Sequence, residues 1–184
     1  MKNNLFTQLT PSLRPALVGL TLALLTILYG QGMGIVFGLN EEAIKHRLTA
    51  SAAAVRETVY KGDDAAIKTV LDRSWIYMQR AHLHAGAMGT TAFALMILVG
   101  LLGLPRLTTL LLGVGLGAGA LGYSLYWMWA GFRAAELGTT TAAKESLKWL
   151  AMPSSGAFVL ATLTVLILLV TAMVTRPESV PAKE

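Results

Sequence analysis

The chain has 184 residues, no cysteine, 54% hydrophobic and 14% charged residues, and a formal net charge of +5. A soluble domain carries about 25% charged residues, so an ordinary soluble globule fits poorly, and the missing cysteines exclude disulfides, thiolate metal sites and cysteine nucleophiles. The basic residues are scattered among acids, as in "EEAIKHR" and "VRETVYKGDD", without the basic block that nucleic acid requires, and no nucleic-acid partner is expected.

Four stretches contain no Asp, Glu, Lys or Arg: 16–39, 83–104, 107–132 and 156–174. Each is near or above the roughly 18–20 apolar residues that cross a hydrocarbon core of about 30 Å. Backbone in lipid must satisfy its own hydrogen bonds, so these runs are helices. The expected fold is all-α: a polytopic membrane protein, a four-transmembrane-helix bundle forming a single membrane domain over 1–184.

Arg14 precedes the first run, which is too long for a signal-peptide core and is not followed by a small-x-small cleavage pattern. It reads as a retained first helix. Gly30, Gly34 and Gly38 repeat along it every fourth residue, a small-residue stripe that lets helix backbones approach closely. Gln31, flanked by Gly30 and Gly32, is the polar side chain best placed to bond across helices.

The loop 40–82 is expected to form an amphipathic helical hairpin. Asn40 followed by Glu41 and Glu42 resembles a helix start, with a capping acceptor and acids in the first turn. Ile44, Leu48, Ala52, Val55 and Val59 then fall on one stripe, with His46 on the solvent side. "KGDD" breaks that helix and Asp63 or Asp64 can cap the next. There Ile67, Leu71, Trp75, Met78 and His82 carry the stripe into the second span.

Two of the three histidines lie in "MQRAHLHAGAMG", where charged sequence gives way to apolar. On a continuous helix, residues two apart point about 200° apart, so His82 and His84 do not share one ion. His82 belongs to the stripe of Trp75 and Met78, whereas His84 shares another face with Arg80, Tyr77 and Met88. Met33, Met88, Met128 and Met152 all fall within about two turns of the same membrane surface. Imidazole and thioether suit Cu(I), and a His/Met pair suits haem iron. His82 and His84 are therefore the candidate metal ligands, and with Met33, Met88 and Met128 they form the candidate site for haem b or copper. The simpler reading is structural: methionine fills apolar gaps, and boundary histidines can bond a carbonyl or a headgroup. Ionisable groups at membrane depth nevertheless lean towards function.

Spans two and three meet at the tight turn "GLPRL", where Pro105 disfavours helix just before it. Span three carries Gly113, Gly115, Gly117 and Gly119 as two overlapping stripes, and Gly113 and Gly117 join Gly30, Gly34 and Gly38 as expected packing residues. "GVGLGAG" lies inside this span with no strand before it, so it is not a phosphate loop. Trp75, Tyr77, Tyr123, Tyr126, Trp127, Trp129 and Trp149 read as an interfacial belt. Arg133 and Glu136 are spaced for a local ion pair. The second loop, 133–155, leads into span four. "SWIYMQRAHLHAGAMG" and "SLKWLAMPSSGAF" share enough pattern to hint at a parallel duplication, with Pro153, Ser154 and Ser155 standing where the first copy has its histidines.

Four crossings place both long loops on one side. Lys2 and Arg14 before span one, against Glu41 and Glu42 just after it, favour cytoplasmic termini and external loops in a bacterial-type cytoplasmic membrane. No span contains a carboxylate, Lys or Arg, so ion-coupled transport lacks its usual parts. No catalytic constellation stands out, and an enzyme is not expected. The leading expectation is a non-catalytic accessory or interaction subunit of a membrane complex, its partners the lipid bilayer and other membrane subunits or a second copy. The alternatives are a haem- or copper-binding redox subunit and a small uncharged-solute transporter or channel.

Overall fold

A computed structural model describes residues 14–174. Among them the chain is all-helical: α1 (Ala16–Ala54), α2 (Asp64–Leu101), α3 (Arg106–Leu137), the short α4 (Thr140–Glu145) and α5 (Lys148–Val174). The helices α1, α2, α3 and α5 are each long and apolar enough to cross a membrane.

Three of the charge-free runs lie inside these helices, 83–104 outruns its helix by three residues, and at the loop ends the helices continue beyond the runs. Asn40 is the non-helical residue (φ −130°, ψ 21°) at which α1 kinks, two helical segments meeting there, so the expected helix start falls at this break. The Asn40 side-chain amide donates to the Val36 carbonyl at 3.2 Å, the local bond by which asparagine competes with regular helix geometry. The second half of the 40–82 segment is the start of α2. Asp63 is its N-cap and accepts from the Ala66 backbone N–H at 2.9 Å, while Asp64 is already in the first turn. Most of 133–155 is helical too: α3 runs to Leu137, and α5 begins at Lys148 with Pro153 inside it. A change from apolar to charged sequence marks a change of solvent. It need not end a helix whose residues still have good helical propensity and an apolar stripe to bury.

The helix α3 is the hub. It packs against α1 and α2, which also pack on each other, and against α5, which rests almost wholly on α3. Its glycines divide this work by angle. A Cβ on Gly113 would meet Gly19 of α1 at its Cα (2.9 Å), and one on Gly117 would collide with Leu22 of α1. Two residues on, the opposite face serves α5: a Cβ on Gly115 would meet Ala161 at 3.1 Å, one on Gly119 the Ser154 carbonyl at 2.8 Å, and one on Gly122 would strike the Ser154 side chain. Two stripes offset by about 200° thus allow one helix to take close backbone neighbours on both sides.

The helix ends at the α1–α2 and α3–α4 connections are tied together. The turn between α1 and α2 carries Lys61 and Gly62 at positive φ, 55° and 78°. From it the Tyr60 hydroxyl donates to the Ala135 carbonyl of α3 at 2.8 Å, satisfying one of the carbonyls left open in the last turn of a helix. Gly138, the left-handed residue that ends α3 (φ 75°), lies directly under Val59, where a side chain would not fit. Arg56 forks onto Asp64 at 3.0 and 3.1 Å across the same turn. Leu48, Ala52, Tyr60, Val70, Ala134, Ala135 and Ala143 are buried in one apolar cluster with Phe37 and Met78, so the core continues past the ends of the charge-free runs.

Candidate functional site

The helix α2 presents His82 and His84 to different neighbours. His82 faces α1: its Nδ1 lies 2.8 Å from the Gly30 carbonyl. Since a carbonyl only accepts, Nδ1 is the donor in this bond. The ring rests on Gly34, where an added Cβ would sit 2.9 Å from His82 Cε1. Gly30 in turn admits the backbone of α2, with Ala85 Cβ at 3.0 Å from a Cβ placed there. Two members of the α1 glycine stripe therefore seat one imidazole. Gly38, the third, has nothing within 4 Å of its Cβ position.

His84 faces α3. Its Nδ1 lies 2.7 Å from the Arg80 carbonyl one turn back. The ring stands edge-on to Tyr123 (5.2 Å between centroids) and stacks near Trp127 (5.9 Å). The Arg80 guanidinium lies 5.5 Å from the Tyr77 ring and 5.1 Å from the Trp127 ring. Tyr77 meets Trp127 edge-on at 4.9 Å, and Tyr126 closes the group at 5.1 Å from Trp127. Of the seven aromatics that read in sequence as an interfacial belt, Tyr77, Tyr123, Tyr126 and Trp127 form a packed cluster organised around one tryptophan with a cation above it. Trp75 packs on Phe37, and Trp129 and Trp149 are exposed. Trp127 Nε1 is buried without an acceptor among the described residues. The i, i+3, i+7 spacing of Tyr77, Arg80 and His84 and the Tyr123–Trp127 pair were the available sequence signals.

Three methionines do come together. Met33, Met78 and Met128 line an apolar groove of about 520 Å³ between α1, α2 and α3, with Tyr29, Phe37 and Phe132 among its other walls. Neither histidine lines it, Met88 is half-buried outside it, and Met152 is exposed on α5. Met78, which falls on the His82 stripe in sequence, is the sulfur that a search for histidine-centred pairs overlooks. As folded, the five candidate residues are thus divided among four surroundings: His82 against α1, His84 in the aromatic cluster, Met33 and Met128 in the groove, and Met88 outside it. No group of three or more His, Cys, Asp or Glu side chains suited to a metal occurs among the described residues. What the site residues do hold is helices: α1 to α2 through His82, and α2 to α3 through His84 and Arg80.

Other expectations resolve locally. The exposed His46 lies away from the core, and Arg133 and Glu136 form no ion pair with each other among the described residues. Lys45 is paired instead with Glu41, and that hydrogen bond raises the ammonium pKa above its ordinary value. Burial likewise raises the Tyr60 hydroxyl above the usual tyrosine range.

No family model matches the chain, and neither curated proteins nor solved structures show a significant similarity to it.

Proposed function

We propose that this is an integral membrane protein crossing the bilayer four times and serving as a non-catalytic accessory or interaction subunit of a membrane complex. On this reading both termini are cytoplasmic, while the α1–α2 turn and the α3–α5 connection lie outside.

The observation that carries the reading is the position of α5. It is the most hydrophobic of the four long helices and the least buried, with 11% of its apolar window covered by the rest of the chain. Ala161 and Val165 face α3, whereas Val159, Leu163, Leu166 and Val170 form an exposed stripe at helical spacing. A stripe of this kind is satisfied by lipid, and it is also the surface on which a helix of another subunit packs. Meanwhile several polar side chains in the long helices bond to the chain's own backbone: Thr26 to Leu22, His82 to Gly30 and Ser124 to Ala120. That pattern supports a scaffold rather than a reaction centre.

The absence of cysteine makes the test clean. Single variants Leu163→Cys and Ala161→Cys are crosslinked in native membranes. Leu163→Cys should yield one defined adduct and Ala161→Cys none. Failure of both, with the chain recovered as a solitary monomer, overturns the reading. Labelling of Glu57→Cys and Lys144→Cys from outside the cell, but not of Arg106→Cys, tests the orientation.

A further inference from the structure

The methionine groove borders a second, polar recess. Phe132 lines both: the apolar groove of about 520 Å³ with Tyr29, Met33, Phe37, Met78 and Met128, and a cavity of about 250 Å³ with Arg47, Ser51, Trp129 and Glu136. Along α1 the apolar part runs from Tyr29 to Ile44, roughly 22 Å at 1.5 Å per residue. That is the depth of one leaflet of a bilayer whose hydrocarbon core is about 30 Å thick, plus part of the headgroup zone. The polar end holds one cation and one anion that are not paired with each other: Arg47, whose guanidinium lies 5.8 Å from the Phe132 ring, and Glu136.

We propose that these two cavities, adjoining at Phe132, together seat one phospholipid with an ammonium-bearing zwitterionic headgroup, its acyl chain along the three methionines and its headgroup between Arg47 and Glu136. The charges match in kind. A guanidinium forks onto a phosphate, and a carboxylate accepts N–H bonds from a primary ammonium, which a quaternary ammonium cannot donate. Unbranched methionines adapt to a flexible chain better than branched side chains do. The inference rests on the membrane reading above, and not on the accessory-subunit role.

The full chain is reconstituted in vesicles containing equal parts phosphatidylethanolamine, phosphatidylcholine and phosphatidylglycerol, extracted in mild detergent, and its retained lipid is counted by native mass spectrometry. The expected result is one phosphatidylethanolamine per chain, favoured over the other two headgroups about tenfold. Glu136→Gln should abolish that preference, and Arg47→Gln should lower retention of all three. Gly32→Leu gives an independent test. Gly32 lines the groove and a Cβ there meets nothing within 4 Å, so the variant should keep its helical circular dichroism while filling the groove and losing the lipid. Equal retention of the three lipids, no retention, or unchanged retention in folded Gly32→Leu overturns the proposal. A chain that does not fractionate with membranes overturns the membrane reading and this inference with it, an outcome separate from failure at the groove.

Discussion

Along α3, Gly113 and Gly117 lie against α1, and Gly115, Gly119 and Gly122 lie against α5. The residue type and spacing are the same, yet the two contacts belong to different kinds of structure. On the α1 side a third helix closes the contact: Met96 of α2 reaches both Gly19 and Gly113, 2.7 and 3.3 Å from their Cβ positions, and Met96 and Val99 are fully buried. On the α5 side nothing comparable backs the pair, and most of α5 remains exposed. A small-residue stripe permits close approach. Whether the approach becomes core depends on what stands behind it.

Breaking each face in turn should expose that difference. The largest effect is expected for Gly113→Leu, whose new side chain meets the Gly19 backbone within a closed three-helix core; a loss of about 3 kcal/mol, the upper end for overpacking, should appear as a lower melting temperature of the whole chain in detergent. Gly119→Leu meets backbone as well, the Ser154 carbonyl at 2.8 Å and the Phe158 nitrogen at 3.0 Å. Here α5 can move away as a unit, so the loss should be about 2 kcal/mol and confined. Hydrogen exchange should speed up in α5 and stay unchanged in α1 and α2. Uniform acceleration would show that α5 is integral to the core after all.

Tyr60→Phe sharpens the comparison from the end where α1 and α2 are tied to α3. Losing the bond to Ala135 should cost about 1 kcal/mol. Its pH dependence has a definite sign. Burial raises the folded-state pKa of Tyr60, so the unfolded chain ionises first, from about pH 10. The tyrosine's contribution is complete below that value and declines as pH rises towards the folded pKa. The gap between wild type and Tyr60→Phe, read from melts, should therefore narrow above about pH 10. The smallest effects belong to the histidines. His82→Ala should cost about 0.6 kcal/mol, the average for hydrogen bonds between membrane helices, because it cuts a bond between α1 and α2, and hydrogen exchange should speed up in α1. His84→Ala cuts no hydrogen bond between helices, since its bond to Arg80 is internal to α2; what it loses are ring contacts with Tyr123 and Trp127 of α3, so exchange in α1 should stay unchanged. If His82→Ala also leaves α1 unchanged, the inter-helix role of His82 is wrong.

Much of this was legible in residues. The absence of charge over 16–39, 83–104, 107–132 and 156–174 identified four long apolar helices, and angular divergence on a helix separated His82 from His84 before any neighbour was known. Two features were not legible. Asn40 followed by Glu41 and Glu42 marks the break at which two helical segments meet, but the residues alone do not say that the segments stay joined as one bent helix. The sulfur grouping was hidden for a related reason. Met33, Met78 and Met128 come from three helices, and their meeting depends on rotations about each axis that glycine contacts elsewhere determine. Helix period gives the face of a residue; it does not say which helix that face will meet.

The outlying position of α5 has a consequence for biosynthesis. Chains emerge from the ribosome N-terminus first, so α1, α2 and α3 can complete their mutual contacts while α5 is still being translated. Until it arrives, the Gly115–Gly119–Gly122 flank of α3 is vacant, and during that interval any foreign segment with a suitably narrow waist competes for the same berth.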